Sequence, residues 1–164
     1  LDALAIARTS DLEVQELLIS KLTPKIGGYK LLIRFGEALG LSRTDFDKVE
    51  PVVGCMALTN FFYWMLAFGS PGEKLAAVSA SEDIFVQICA RVGPALRRNY
   101  GLSLEQVAFF TIHDEIGVHV IPVDNILLER FNTSSIERSL IIRAIRLSHE
   151  FELMFYDTIL TAPV

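Results

Sequence analysis

Four short strings divide the chain into helical segments before any hydrophobic pattern is considered. Ser10 with Glu13, Ser70 with Glu73, Ser103 with Gln106 and Ser134 with Glu137 each pair a hydroxyl with an acid or amide three residues on. In such a capping box the serine oxygen accepts from the amide at the third helical position, and the acid or amide accepts from the serine's own N–H. Pro71 follows Ser70 at the first helical position, where its missing N–H costs nothing. Gly40, Gly69 and Gly101 each follow an apolar stretch and suit left-handed positions that end a helix. These signals predict helices near 11–22, 24–39, 43–48, 51–68, 71–99, 104–130 and 134–160, about seven in all. Pro122 is expected to kink the sixth, since it removes one intrahelical donor and crowds the preceding turn. No stretch of alternating polarity is bounded by hairpin turns, so no strand is predicted. The expectation is an all-α fold in which residues 1–164 form a single helical domain.

Composition narrows what such a chain can do. Hydrophobic residues make up 51% and charged residues only 21% of the sequence, with a mean hydropathy of +0.40. That balance excludes a disordered chain and asks for a large buried interior. The net charge is −5 and no basic block exceeds Arg97-Arg98, which argues against a partner bound through its phosphates, so no nucleic acid is expected. The uncharged run from Pro51 to Gly72 is long enough for a membrane span, but it carries Thr59 and Asn60 and its flanks, Glu50 and Glu73, are acidic. It reads as a buried bundle helix, and no membrane partner is expected. Cys55 and Cys89 form no disulfide framework, so a reducing, cytoplasmic setting is the default. The chain opens on Leu1 without a signal-peptide pattern, and an N-terminal part is expected to be missing upstream.

Function is sought where the 100° helical period turns an ionisable side chain onto an apolar face. In the 71–99 segment Glu82 shares a face with Leu75, Val78, Phe85, Val86, Cys89 and Leu96. In the 104–130 segment His113 lies between Phe109, Phe110 and Val120, with Glu115 and His119 on the flank and Asp124 returning to its face beyond Pro122. In the last segment Glu152 shares a face with Ile141, Ile145, Ser148, Phe155 and Tyr156, with His149 at its edge. An unpaired buried carboxylate costs several kcal/mol by order of magnitude, so each inward acid needs a partner, a metal, a ligand or a proton. An inward histidine is often a satisfied core residue, and Glu82 or Glu152 could pair with Arg34 or Lys30. Three such residues in one small all-α chain nevertheless point to a shared polar cavity, which Tyr63, Trp64, Phe85, Cys89, Phe109 and Tyr156 would line.

Several strings, in order, resemble the haem-oxygenase-like superfamily and its TenA, PqqC and CADD branch. Gly36-Glu37-Ala38-Leu39-Gly40-Leu41-Ser42 is similar to that branch's "ALGLS" passage. The stretch from Glu82 through Pro94-Ala95-Leu96 to Tyr100-Gly101-Leu102 resembles its glutamate helix, and Phe109-Phe110-Thr111-Ile112-His113 the start of its histidine helix. Glu152-Leu153-Met154-Phe155-Tyr156-Asp157 is similar to the "ExxFWD" of TenA proteins. The resemblance spans most of residues 20–160 and implies a haem-oxygenase-like bundle and a homodimer.

The resemblance also frames the chemistry. Di-iron members bind metal through an early Glu and His, a mid-chain Glu and an HxxxDxxH motif. Glu82 and His113 match two of those ligands, but Gly117 and Val120 occupy the later Asp and His places, and the early pair falls near Thr23 and Tyr29. A full di-iron site is therefore not expected, and the cofactor is left unassigned. A reorganised metal site would draw on Glu82, His113, Glu115 and His119, although Glu115 and His119 point away from His113 on the helix wheel. TenA thiaminases use a cysteine nucleophile whose place falls at Ser81 or its neighbours, and an acid/base glutamate matched by Glu152. PqqC-like members oxidise a bound aromatic precursor with dioxygen and no metal, which His113 suits. The expected function is a small-molecule oxidoreductase of the TenA/PqqC-like type acting on an aromatic or heterocyclic metabolite, with His113, Glu152 and Glu82 as catalytic groups. The alternatives are a non-catalytic ligand- or protein-binding member of the fold and a TenA-like thiamin-salvage hydrolase.

Overall fold

A computed structural model describes residues 1–22, 27–117 and 123–162, with the side chains of all but residues 2, 21, 114–117 and 124 among them. The described residues form nine helices and no strand: α1 (Asp2–Ala7), α2 (Leu12–Leu22), α3 (Gly28–Ala38), α4 (Arg43–Lys48), α5 (Val53–Phe68), α6 (Pro71–Tyr100), α7 (Ala108–Gly117), α8 (Val123–Phe131) and α9 (Ser135–Thr161). The all-α expectation holds.

The capping strings act as local switches, with two corrections. Ser70 and Glu73 form a reciprocal box at the head of α6, with N–H contacts of 3.0 and 3.3 Å. Ser103 and Gln106 do the same at 2.8 and 3.2 Å, and Ser134 accepts from the Glu137 amide at 3.1 Å. Ser10 does not open α2. Asp11, one residue later, accepts from the Val14 amide at 3.1 Å while Arg130 binds its carboxylate at 2.8 Å, and this charge-assisted pair outcompetes the serine. Gly40 and Gly101 adopt the left-handed conformation at φ +87° and +69°. Gly69 does not, at φ −65°; a side chain there would meet the Met65 carbonyl at 2.6 Å, so close approach is what calls for glycine.

The helix count also differs from the seven expected. The segment read as one helix over 104–130 contains α7 and α8, preceded by turns at 104–107; Pro122 lies outside the described residues. The short α1 lacks a side-chain cap and escapes sequence analysis. A six-residue helix is unstable alone, and α1 is held by burying Ala5 with Val14, Leu18, Leu66 and Val78.

The chain forms two compact units. The first comprises Leu1–Thr23, Pro51–Ser81 and Ile121–Val164. Its larger core joins Leu17, Phe61, Met65, Leu75, Ala76, Ala77, Val123, Leu127 and Ala144. α5 and α9 run antiparallel: Phe61 stacks on Phe151 at 4.8 Å, and Gly54 abuts the α9 backbone at Met154 and Phe155. α6 and α9 run in the same direction, joined at Glu73–Arg143, Ala77–Ser148 and Ser81–Glu152. α5 is not the wholly buried helix expected from its uncharged sequence. Gly54, Phe61, Met65 and Leu66 are buried, whereas Val53, Met56, Tyr63, Trp64 and Phe68 are exposed. Among the described residues, no helix is long and apolar enough to cross a membrane.

The second unit comprises Pro24–Glu50 and Glu82–Val120. An aromatic chain organises it: Phe35 meets Phe110 edge-on at 5.0 Å, Phe110 meets Phe109 at 5.3 Å, and Phe109 meets Phe85 at 6.0 Å. Gly36 lets the Phe46 ring of α4 lie against α3. Arg34 reaches Glu105 at 3.2 Å in an exposed pair that contributes little to stability.

Candidate functional site

In the first unit the polar chemistry lies along the α6–α9 contact. Capping turns Glu73 inward at the start of α6, where its Oε1 accepts from Arg143 Nη2 at 2.7 Å, and the Arg143 guanidinium lies 6.0 Å from the Trp64 ring centre. One turn on, Ser148 Oγ donates to the Ala77 carbonyl at 3.2 Å. One turn further, Ser81 Oγ donates to Glu152 Oε1. Glu152 is only 6% exposed, and its other oxygen, Oε2, has no hydrogen-bond partner among the described residues. Burial pushes the Glu152 carboxyl above its ordinary value; the Ser81 hydroxyl and the charge of His149 pull the other way without overcoming it. Oε2 is thus a buried acceptor that the Ser81 hydroxyl does not engage.

Lys74, 2% exposed, is the buried cation of this unit. Its Nζ donates to the Arg8 carbonyl at 2.6 Å and to Thr9 Oγ1 at 3.4 Å, closing the end of α1. Burial, and then the Arg8 charge, hold its ammonium below the ordinary value. Sequence reasoning missed Lys74. The available signal was its position four residues before Val78, on the apolar stripe of α6.

In the second unit, His113 projects from α7 between two aromatic rings, with Phe109 at 4.6 Å and Phe85 at 5.0 Å between centroids. Its Nδ1 lies 2.6 Å from the Phe109 carbonyl. A carbonyl can only accept, so Nδ1 carries the proton and Nε2 holds the lone pair of the neutral ring. Glu82 is half-buried one turn before Phe85 on α6, and Cys89 is buried one turn after it.

The residues singled out from sequence are thus divided. Glu152 and Tyr156 belong to the first unit; Glu82, Phe85, Cys89, Phe109 and His113 belong to the second. The structure brings together His113, Phe85 and Phe109, and joins Glu152 to Ser81. Tyr156 is half-buried with its ring 5.1 Å from Phe155. Tyr63 and Trp64, expected to line a buried cavity, are instead 52% and 46% exposed, because the face of α5 that meets α9 is taken by Gly54 and Phe61. The side chains of Glu115 and Asp124, and His119 entirely, lie outside the described residues.

These donors can be tested against iron. Three or more His, Cys, Asp or Glu side chains are needed to hold such an ion with protein ligands. Among the described residues no such group assembles. Glu82 and His113 are the matched donors, and the aliphatic Val120 and side-chain-free Gly117 supply none.

No curated protein matches the sequence. A family model described as "iron-containing redox enzyme" matches residues 27–146, well over half of the chain, including α3 to α8 and the start of α9. With the strandless helical architecture of the described residues, that match establishes that the chain belongs to the iron-containing redox enzyme family of the haem-oxygenase-like superfamily.

Proposed function

We propose that this chain is a small-molecule oxidoreductase of the TenA/PqqC-like type, acting on an aromatic or heterocyclic metabolite with Glu152 as its acid/base group. The observation that carries the reading is Glu152: a carboxyl enclosed between two helices, one oxygen engaged by Ser81 and the other without a partner. Oxidation of an aromatic ring system releases protons together with electrons. Dioxygen, the oxidant implied by the resemblance to PqqC-like proteins, accepts the electrons and leaves as hydrogen peroxide when two electrons and two protons are transferred. Glu152 exchanges a proton through Oε2. In the second unit His113 is suited to the same work, since the Phe109 carbonyl fixes its tautomer and leaves Nε2 able to accept a proton. Glu82 is assigned to the same unit as an ionisable neighbour.

A second reading, a ligand-binding member of the fold without turnover, is favoured by Gly117 and Val120 standing where metal-binding relatives have donors. A homodimer in a cytoplasmic setting completes the proposal; the exposed apolar side chains of α5 support the first part and the low cysteine content, two in the chain, the second.

The test is dioxygen uptake by the purified protein over a panel of hydroxylated aromatics and aminopyrimidines. Glu152→Gln and His113→Ala are expected to lower the rate roughly 100-fold or more, the usual scale for a positioned acid or base, while circular dichroism keeps the wild-type helicity. Undiminished rates in both variants overturn the roles. Binding of a panel compound without turnover by the wild type supports the second reading.

A further inference from the structure

We propose that Ser148 and Ser81 form a two-step relay that positions Glu152, with Ser148 directing the Ser81 hydroxyl onto Oε1 and thereby fixing the orientation of the buried carboxyl. The inference rests on the reading of Glu152 as an acid/base group and names what sets its orientation.

A serine within a helix has a local alternative to any tertiary bond: its hydroxyl can turn back to the carbonyl four residues earlier. For Ser81 that carbonyl belongs to Ala77. A carbonyl oxygen has two lone pairs. Within α6 the helical ladder uses one of those at Ala77 for the Ser81 amide. Ser148, fully buried, occupies the other by donating from α9 at 3.2 Å. The local acceptor is therefore saturated, and Ser81 turns outward to Glu152. The parallel course of the two helices makes this possible: Ala77 and Ser81 are one turn apart on α6, and Ser148 and Glu152 are one turn apart on α9. The two contacts are successive rungs of one ladder.

α5, packed on α9 through Phe61 and Phe151, carries no charged residue from Val53 to Phe68; α2 and α8 join α9 in the core through Leu17, Val123 and Leu127, and the charges of Asp11, Glu13 and Arg130 at their ends are paired with one another. On α9 the charge of His149 favours the carboxylate, and the phenol of Tyr156 stands one turn beyond Glu152. On the α6 face of this unit the ionic groups are Glu73, held by Arg143, and Lys74, turned to the end of α1. Ser81 is thus the neutral donor that fixes the orientation of the buried carboxyl.

The relay can be read directly from the titration of Glu152, followed by the side-chain carboxyl ¹³C shift in glutamate-labelled protein. The Glu152 signal is identified by its loss in Glu152→Gln. Removing a donor to the carboxylate disfavours ionisation, so Ser81→Ala shifts the midpoint to higher pH. Ser148→Ala, which does not alter the Glu152 contact itself, shifts it in the same direction, because the freed Ala77 carbonyl draws the Ser81 hydroxyl away. Ser81→Thr retains a hydroxyl and keeps the midpoint near the wild-type value. A serine with a purely structural role changes the melting temperature without moving this titration. A wild-type midpoint in either alanine variant overturns the relay. Wild-type oxidation rates in Glu152→Gln, with the midpoints shifted as expected, remove the catalytic reading and leave the relay standing.

Discussion

A carboxyl group enclosed between helices keeps its proton to higher pH than one in water, and the difference is linked to folding. Glu152 has this environment: burial raises its pKa above the reference value of 4.5, against the opposing pull of Ser81 and His149. Because the folded-state value is raised, the contribution of the protonated group is fully present below the unfolded value and is lost as pH rises through the folded value. Glu152→Gln keeps the side chain neutral at every pH. The variant's melting temperature relative to wild type is therefore expected to climb as pH rises above 4.5. Thermal melts across that window check it, and a constant difference contradicts it. The inward placement of Glu152 was legible because it shares a helical face with Ile141, Ile145 and Ser148, where a carboxylate is conspicuous. Ser81 was marked only through the TenA resemblance, since a serine suits either face of a helix. Its role depends on residues 71 positions away, and helical periodicity carries no such information.

At the scale of elements, two glycines that both lie within helices carry different structural demands. A methyl group at Gly54 would meet the Met154 carbonyl and Phe155 Cα, both at 2.8 Å, and Thr158 Oγ1 at 2.6 Å. Two of those atoms are α9 backbone, so relief requires shifting the helix pair that builds the first unit. The three atoms nearest a methyl at Gly36 all belong to the Phe46 ring, a side-chain end on the short α4 that can swing aside. Gly54→Ala is expected to destabilise by about 1–3 kcal/mol, the overpacking range, and Gly36→Ala by less. Urea unfolding compares them, and equal losses contradict the distinction. The starts of α6 and α9 were legible because capping is local: Ser70 and Ser134 each bond the amide three residues on, whereas the same box at Ser103 closes the turns at 104–107 before α7 begins. The exceptions have tertiary causes. Arg130 recruits Asp11 in place of Ser10, and α1 forms by burying Ala5 rather than by any strong signal of its own.

For the whole molecule, a helical family scaffold and a metal centre impose different demands on sequence. The scaffold needs apolar faces, caps and glycines at close contacts, and many substitutions preserve those features. An iron site needs particular donor atoms at particular places, and a single aliphatic substitution removes one. This is why the fold was legible over most of the chain while the chemistry was legible only at separate residues such as Glu152 and His113. Gly117 and Val120 carry no ligating side-chain atom at the positions where the resemblance asks for a carboxylate and an imidazole, and Thr23 and Tyr29 replace neither a Glu nor a His. The protein is therefore expected to carry fewer than two irons per chain even when expressed with abundant iron, and to be a dimer of the 18.3 kDa chain. Native mass spectrometry coupled to elemental analysis tests both expectations on one gently purified sample. Dimers with a retained organic mass and no iron pair support the metal-independent reading, since the chemistry would then rest on groups such as Glu152 and His113. Two irons bound tightly to each chain overturn it, because donors beyond Glu82 and His113 must then complete the centre.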